Sequence, residues 1–309
     1  MHVFVTGGSG QTGPAIVTEL ITAGHAVTGL ARSSASADRL EALGATPFPG
    51  SLEDADALAA GAARADGVVH MAIAGSFADP DDLARRDVAA ITTLGEALVG
   101  TDKPFVSTSG TLVLPAGRVS HEREPADPAS IAPFRIPGED ACLGFAERGV
   151  RSSVVRLAPT VHGPRDRGFI PVLVATARRT GVSAYIGDGA NRWPAIHRLD
   201  AARVFRLAVE KAPAGSVLHG VGEGGVAFRS IAEKIGEMLG VPTRSLAPEQ
   251  AAGHFGDPFL GIAFGIDVPV SSARTRELLG WTPAHQTLLD DLGTGDYFAG
   301  AAQESHAQH

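Results

Sequence analysis

Thr6-Gly7-Gly8-Ser9-Gly10-Gln11-Thr12-Gly13 is the stretch of sequence that decides the fold of this chain. It follows a short apolar run and leads directly into apolar residues at helical spacing, which indicates a strand, a glycine turn and a helix. In such a turn Gly7 allows a sharp reversal, Gly10 allows backbone amides to approach a pyrophosphate, and Gly13 allows close packing of the helix on the strand. The N-terminus of the helix then faces the phosphates with its unsatisfied N–H groups. The alternative is an ordinary tight turn. We expect a dinucleotide to contact Gly7, Ser9, Gly10, Gln11, Thr12 and Gly13.

The composition describes a globular protein and excludes several classes of function. Of the 309 residues, 44% are hydrophobic and 19% are charged, and the net charge is −8. Nucleic-acid-binding proteins usually present a basic surface, so we expect no nucleic-acid partner. The single cysteine, Cys142, excludes an internal disulfide and a cysteine-rich metal site, and we expect no metal. The sequence shows neither a secretory leader nor an apolar stretch of the ~20 residues that span a bilayer, so we expect a cytoplasmic protein without a membrane partner.

Strand-like and helix-like segments alternate regularly through residues 1–160. We predict strands over residues 2–6, 25–30, 45–48, 66–71, 104–108 and 151–157, and helices over 13–24, 36–43, 54–63, 81–99 and 137–148. Several of these strands are near-continuous apolar runs, as is typical of parallel strands that are covered on both faces. With right-handed crossovers they predict an α/β fold: a doubly wound parallel sheet (Rossmann fold) with a smaller mixed C-terminal substrate lobe.

The alternation becomes irregular after residue 161, which suggests how the chain is divided. We predict a dinucleotide-binding domain over residues 1–162 that is rejoined by about 195–225, through a helix over 200–211 and a strand over 216–220. The substrate lobe is expected to comprise 163–194 and 226–285, with helices near 169–180, 226–240, 247–254 and 271–280. Residues 181–191 form a polar, glycine-rich stretch, and 300–309 read as a frayed tail.

The end of the second predicted strand favours NADP(H) over NAD(H). An enzyme that prefers NAD usually places an acidic residue about 20 residues past the glycine loop, where it binds the adenosine ribose. Arg32 and Ser33 stand here instead, and they suit a 2′-phosphate. The charge-assisted bonds of an arginine are worth roughly 1.5–3 kcal/mol each. The alternative is that Arg32 is a solvated surface residue.

The order of further motifs resembles that of the extended short-chain dehydrogenase/reductases (the NAD-dependent epimerase/dehydratase-like family). The resemblance covers about residues 2 to 285, and it is more specific for fold and cofactor than for reaction. It is carried by the glycine loop, by Asp66-Gly67-Val68-Val69-His70-Met71-Ala72, Val106-Ser107-Thr108-Ser109, Arg156-Leu157-Ala158-Pro159-Thr160-Val161-His162-Gly163-Pro164, Gly187-Asp188-Gly189 through His197-Arg198-Leu199-Asp200, and Leu279-Gly280-Trp281-Thr282-Pro283.

The resemblance implies further cofactor-binding residues. Ser51 and Leu52 would flank the adenine, although the family usually has Asp at the position of Ser51. Residues 71–73 would line the ribose and pyrophosphate, and residues 159–161 the nicotinamide. The complete implied set beyond the glycine loop is Arg32, Ser33, Ser51, Leu52, Met71, Ala72, Ile73, Ser107, Pro159, Thr160 and Val161. The family also commonly dimerises, which implies a homodimer through the helices near 81–99 and 137–148.

This chain lacks the family's catalytic pair, a Tyr followed four residues later by a Lys. Its two tyrosines, Tyr185 and Tyr297, have Gly and Ala at that distance, and no Lys occurs between Lys103 and Lys211. Arg135 and Glu139 stand where the pair would be. The alternative for these two is a surface ion pair along one helix.

Five residues remain as candidates for catalysis. Ser109 matches the family's catalytic Ser, and Thr111 lies two residues further on. Arg135 is too weak an acid to give up a proton easily, but it stabilises an oxyanion electrostatically. His162 and His197 are acid candidates because an unperturbed imidazole titrates near ~6.5. For each His the alternative is an ordinary packing residue.

Three functions are consistent with these residues. The first is an atypical NADP(H)-dependent reductase or dehydrogenase that acts on a small carbonyl or alcohol. The second is a redox-silent protein that binds or senses the dinucleotide, which accounts for the lost Tyr and Lys. The third is an isomerase, epimerase or lyase on the same fold. General acid catalysis contributes ~10²–10⁴-fold and positioning ~7–11 kcal/mol, so the loss of the Tyr leaves reduction feasible in a cleft that aligns the hydride donor and the carbonyl.

Overall fold

A parallel sheet lies at the centre of the structure, a computed structural model that describes residues 1–73 and 79–298. The predicted frayed tail at 300–309 lies outside these residues. The strands in the described ranges are β1 (His2–Thr6), β2 (Ala26–Ala31), β3 (Thr46–Pro49), β4 (Gly67–His70), β5 (Pro104–Gly110), β6 (Arg151–Leu157), β7 (Thr160–His162), β8 (Ser183–Ile186), β9 (Arg192–His197), β10 (Ser216–Gly220), β11 (Glu223–Ala227) and β12 (Thr243–Leu246).

Helices follow most of the strands. Within the same ranges they are α1 (Gly13–Thr22), α2 (Ser34–Ala42), α3 (Ala55–Arg64), α4 (Pro80–Glu96), α5 (Ile136–Gly144), α6 (Phe169–Thr180), α7 (Arg198–Lys211), α8 (Phe228–Leu239), α9 (Pro248–Phe255), α10 (Pro258–Ala263), α11 (Ala273–Leu279) and α12 (Leu288–Thr294). None of these helices is both long enough and apolar enough to cross a membrane.

Seven strands form the main sheet in the order β3-β2-β1-β4-β5-β6-β10, and all of their pairings are parallel. The order reverses between β1 and β4, which places a crevice at the carboxyl ends of these strands. This arrangement confirms the predicted α/β fold with a doubly wound sheet. It also brings the glycine loop after β1 to the point at which such sheets bind their ligands.

Alternate residues of β1 show why the sheet is covered on both faces. Val3 and Val5 are fully buried on the side that carries Ile16 and Leu20 of α1, together with much of α7. Phe4, between them, is buried on the other side, among residues of α3, α4 and α5. Because side chains alternate along a strand, a continuous apolar run is what a doubly covered strand requires.

A smaller lobe is built from the chain after β6. It contains a three-stranded sheet in the order β11-β9-β7 and a two-stranded sheet, β12-β8. Its core is aromatic: the ring of Trp193 lies 5.2 Å from that of Phe169, 5.7 Å from Phe228 and 5.6 Å from Phe264. Helices α6 and α8 to α10 surround this core.

Within the polar, glycine-rich stretch 181–191 the structure has a strand, β8, at Ser183–Ile186. This strand pairs in parallel with β12, which lies about sixty residues further along the chain. A four-residue strand whose partner is so distant leaves little periodic pattern in the sequence.

Candidate functional site

The glycine loop forms a cradle that side chains would fill. Gly7 has φ +76°, and a Cβ atom at this position would lie 2.7 Å from the backbone nitrogen of Ala72. A Cβ at Gly13 would lie 2.1 Å from the carbonyl oxygen of Gly7. The amide of Gly10 donates a hydrogen bond to that same oxygen at 2.9 Å. The loop is therefore held tightly by contacts that only glycine permits.

The N-terminus of α1 has free capacity to bind an anion. Its N-cap residue, Thr12, makes no side-chain hydrogen bond to the first turn, which also contains no acidic residue. By contrast, the side chains of Ser33, Asp54 and Asp79 cap α2, α3 and α4. The first N–H groups of α1 thus lack the side-chain partner found at the neighbouring helices, as a pyrophosphate-binding helix requires. The cradle and the open N-terminus both fit a dinucleotide.

The carboxyl ends of β2 and β3 lie beside this loop. Arg32 directly follows β2 and is exposed. Ser33 is committed in part to local structure, since its Oγ accepts a hydrogen bond from the amide of Ser36 at 3.3 Å. After β3, the Oγ of Ser51 accepts from the amide of Glu53 at 3.2 Å, and Leu52 is half-buried.

A buried hydrogen-bond chain fixes the end of β4 against the glycine loop. The Thr6 hydroxyl accepts from the amide of Met71 at 3.3 Å and lies 2.8 Å from Nδ1 of His70. The other ring nitrogen of His70 lies 3.3 Å from Oδ1 of Asp87. Because Asp87 accepts, Nε2 carries the proton and the Thr6 hydroxyl donates to Nδ1. Ala72 and Ile73 follow directly, and Ile73 is 40% exposed.

Arg135 extends this chain to β5. Its Nη1 donates to Oδ2 of Asp87 at 3.2 Å, and its Nη2 donates to the carbonyl oxygen of Thr108 at 2.5 Å. Burial disfavours the charged form of Asp87, but the hydrogen bond from His70 and the charge of Arg135 outweigh it and hold the pKa of Asp87 below its usual value. Asp87 therefore carries a negative charge that balances Arg135.

Glu139 has a different partner from the one that helical spacing suggests. It receives hydrogen bonds from Nε of Arg156 at 3.0 and 3.1 Å, and Nη2 of Arg156 completes the fork. Arg156 and Glu139 are 2% and 4% exposed. The surface ion pair between Arg135 and Glu139, given above as an alternative, is therefore wrong. Arg135 and Glu139 each bind a partner from another element; Glu139 is buried and Arg135 is half-buried.

Three buried hydroxyl groups near the carboxyl ends of β5 and β6 have no hydrogen-bond partner among residues 1–73 and 79–298. They belong to Ser109, Thr111 and Thr160, which are at most 5% exposed. Ser109 pairs with Arg156 across β5 and β6, so both side chains project toward α5. These three hydroxyls at one sheet edge are available to a ligand. The hydroxyls of Ser120, Ser130, Ser152 and Ser153 also have no partner among the described residues.

The remaining residues of the implied cofactor set lie in strands or directly beside them. Pro159 connects β6 to β7, and Thr160 and Val161 form the start of β7. Ser107 lies inside β5 and is 1% exposed.

His162 and His197 lie side by side in the small lobe. Their rings are 5.3 Å apart, and His162 is paired through Nδ1 with Asp291 of α12 at 2.9 Å. His197 stacks on His285 at 4.9 Å and accepts a hydrogen bond from the amide of Leu199, which caps α7. Burial, and the charges of the neighbouring histidines, lower the pKa of His197 to about 4. His197 is thus neutral at pH 7.

A polar bridge joins the two lobes, and no local pattern in the sequence predicts it. The Tyr297 hydroxyl donates to Oδ2 of Asp166 at 3.0 Å and accepts from the amide of Gly163 at 3.2 Å. Gln11 of the glycine loop donates to Oδ1 of Asp166, also at 3.0 Å. Burial raises the pKa of Asp166. Asp166 therefore links the glycine loop to the segment that follows α12.

The described residues contain no group of three or more His, Cys, Asp or Glu side chains arranged to hold a metal ion.

Comparison with known proteins places these features in context. The sequence profile of the NAD-dependent epimerase/dehydratase family matches residues 3–219. An uncharacterized protein of Schizosaccharomyces pombe is 44% identical over 96% of this chain and 100% of its own length. A 4-hydroxy-2-methyl-3-oxo-4-farnesyl-3,4-dihydroquinoline-1-oxide ketoreductase of Stigmatella aurantiaca is 28% identical over 94% of this chain and 96% of its own. Among solved structures, a dTDP-glucose 4,6-dehydratase of Streptomyces venezuelae with NAD bound superposes with a TM-score of 0.78 at 20% identity, over 99% of this chain and 98% of that one.

Proposed function

The chain belongs to the NAD-dependent epimerase/dehydratase family, and from this premise we propose that it is an NADP(H)-dependent reductase or dehydrogenase. Its substrate is a small carbonyl compound or alcohol, and it works without the Tyr and Lys of the family's usual mechanism. The free hydroxyl of Ser109, next to the Thr108 carbonyl that binds Arg135, is the observation that carries this proposal.

The chemistry follows from these two side chains. Bound NADP(H) supplies or accepts the hydride. Ser109 donates a hydrogen bond from Oγ to the substrate oxygen, which satisfies a hydroxyl that otherwise has no partner. Arg135 stabilises the negative charge that develops on that oxygen, since its guanidinium is held at the same sheet edge by Asp87 and the Thr108 carbonyl. Arg135 replaces the electrostatic part of the missing Tyr, and not its proton. The alkoxide that hydride transfer forms takes its proton from water, and in the direction of oxidation the proton of the alcohol returns to water.

Two further hydroxyls complete the lining. Thr111 and Thr160 are buried and free in the same region, so they suit polar groups of the nicotinamide or of the substrate. His162 and His197 act as positioning residues in this proposal, because His162 is bound to Asp291 and a neutral His197 caps α7.

The preference for NADP(H) is supported by Arg32. Its exposed guanidinium follows β2, where an acidic residue would hold the ribose of NAD. An arginine in this position binds a 2′-phosphate, and it cannot accept a hydrogen bond from the ribose hydroxyls of NAD(H) as an acidic residue does.

The test is a fluorescence titration with NADPH and NADH, followed by turnover on a panel of small ketones and aldehydes. We expect tight NADPH binding, with oxidation on at least one carbonyl. Ser109→Ala should lower kcat/KM by about 10²–10³-fold, as the loss of one oxyanion donor does, while the NADPH dissociation constant stays the same. Ser216→Ala is the matched control, because Ser216 lies at the amino end of β10, on the opposite edge of the sheet.

A second function, a redox-silent dinucleotide sensor, is favoured by a separate observation. Arg135 and Glu139 stand where the resemblance implies Tyr and Lys, and each is engaged in an ion pair, half-buried for Arg135 and buried for Glu139. Tight NADPH binding without oxidation on any carbonyl would support this sensor, or an isomerase, epimerase or lyase. A wild-type protein that binds neither nucleotide would contradict all of these functions.

A further inference from the structure

Arg198, the first residue of α7, has a guanidinium group that nothing in the described chain uses. Its Nε and Nη2 atoms are shielded from solvent and have no hydrogen-bond acceptor among residues 1–73 and 79–298. Such a group is costly, because a buried donor that gives up water without gaining an acceptor loses free energy, and a charged one loses more.

The other arginines of similar burial show how unusual this is. Every other buried or half-buried arginine in the described residues has an acceptor within hydrogen-bond distance. They are Arg135, Arg151, Arg156, Arg192, Arg203, Arg206 and Arg276. In the part of the chain that the structure describes, each enclosed guanidinium group except that of Arg198 therefore has an acceptor.

Arg198 lies within electrostatic reach of Asp166, which binds Gln11 of the glycine loop. Gly163, at φ +128°, makes room for this arginine, since a Cβ there would lie 3.0 Å from Cγ and 3.1 Å from Nε of Arg198. Helix α7 packs alongside α1, where Nε of Arg206 donates to Glu19 at 2.7 Å. Because both helices begin at the carboxyl edge of the sheet, Arg198 and the glycine loop lie at the same edge.

The nearby carboxylates do not account for Arg198. Asp166 is close enough for the arginine's charge to favour its ionised form, but its oxygens are occupied by Gln11, Tyr297 and the amide of Gly168. Asp200 accepts from the amides of residues 284 and 285 and pairs with His285. Neither lies within hydrogen-bond distance of Nε or Nη2 of Arg198.

We propose that Arg198 binds an anionic group, a phosphate or a carboxylate, that a bound ligand brings to the edge of the glycine loop. The inference rests on the proposed function in that the ligand is the dinucleotide or its substrate. Two sources share this chemistry: the pyrophosphate of the cofactor, and an anionic group on the substrate. An Arg198 site thus extends the implied set of ligand contacts to a residue outside the glycine loop and the strand ends.

The experiment compares the wild type with Arg198→Met and with Arg178→Met, which removes the same charge from an exposed position on α6. Melting temperatures are measured in sodium phosphate and in sodium chloride of equal ionic strength, with and without NADPH. The dissociation constant of NADPH is measured by fluorescence. Without ligand, Arg198→Met should melt at or above the wild-type temperature, because it removes an unpaired enclosed charge.

If the anion is the cofactor pyrophosphate, Arg198→Met should raise the NADPH dissociation constant by about tenfold to a hundredfold, as expected for lost charge-assisted bonds. If it belongs to the substrate, NADPH affinity should stay unchanged, and phosphate should stabilise the NADPH-loaded wild type and Arg178→Met but not Arg198→Met. The proposal is overturned if phosphate and NADPH act on Arg198→Met as they do on Arg178→Met. A lower melting temperature without ligand, with no change in ligand response, would also overturn it, since Arg198 would then be structural.

These outcomes separate the inference from the proposed function. A wild type that does not bind NADPH, yet is stabilised by phosphate through Arg198, would contradict the function and support the anion site. A wild type that reduces a carbonyl, with both variants responding alike, would do the reverse.

Discussion

Glu139→Ala is expected to destabilise the fold far more than an average substitution on a helix. Within residues 1–73 and 79–298, the change leaves Arg156, 2% exposed, with the carbonyl of Glu124 as its one acceptor, at 2.9 Å from Nη1. It removes three hydrogen bonds of the fork and the carboxylate that pairs with this guanidinium. Breaking one partner of a buried ion pair costs about 3–5 kcal/mol, because the other charge stays buried and uncompensated.

The assay is urea unfolding, followed by circular dichroism and by tryptophan fluorescence. At about 2–4 °C per kcal/mol for a domain approaching this size, the expected loss corresponds to roughly 6–20 °C in melting temperature. Glu147→Ala is the control, since Glu147 is exposed just beyond α5 and its loss should change the free energy of unfolding by less than about 0.5 kcal/mol.

A double variant, Glu139→Leu with Arg156→Met, separates the ion pair from the rest of the packing. Replacing both charges by apolar groups of similar size is often neutral or stabilising, so it should recover most of the loss. The reasoning is refuted if Glu139→Ala unfolds within about 1 kcal/mol of the wild type, which is the size of an ordinary hydrogen bond. It is also refuted if the double variant is as unstable as the single one.

Three further predictions concern Arg32, Gly13 and His197. Arg32→Ala should weaken NADPH binding by about tenfold to a hundredfold while NADH binding stays the same, because it removes the charge-assisted bonds to the 2′-phosphate; equal losses for both nucleotides in a fluorescence titration would contradict this. Gly13→Ala should abolish nucleotide binding and lower the melting temperature, since its methyl group would lie 2.1 Å from the carbonyl of Gly7, whereas Gly144→Ala, with no atom within 4 Å of the new methyl, should do neither. The free energy of unfolding should fall as the pH decreases from about 6.5 to about 4, because the pKa of His197 is lowered in the folded state and the unfolded chain therefore binds the proton first. His197→Asn should flatten the pH dependence of the urea midpoint in this window. An unchanged slope would show that other groups control it.

Local patterns predicted the main sheet and the loop, because both are encoded by neighbouring residues. The apolar run of β1, the glycines after it and the amphipathic α1 are contiguous, and the structure has them where the sequence places them. The small lobe was harder, since β8 pairs with a strand about sixty residues away and both strands are short.

The candidate site shows the same limit more clearly. Spacing along one helix left a bond between Arg135 and Glu139 as an alternative, but Arg135 binds Asp87, 48 residues away, on α4. Tyr297 lacked the Lys that would mark it as catalytic, and its bond to Asp166 spans 131 residues. The sequence also could not predict that the guanidinium of Arg198 lacks an acceptor, because an absent partner is a property of three-dimensional packing and not of composition.

The bridge from Gln11 through Asp166 to Tyr297 has a consequence for synthesis on the ribosome. Asp166 follows Gln11 by 155 residues, and Tyr297 follows Asp166 by a further 131. At about 5–20 residues per second, Gln11 waits roughly 8–30 seconds until Asp166 is synthesised, and Asp166 waits a similar time for Tyr297. Early strands can thus begin to pair cotranslationally while the pocket is still open. A nascent chain stalled before Tyr297 would expose a cradle whose partner Asp166 lacks one of its three donors.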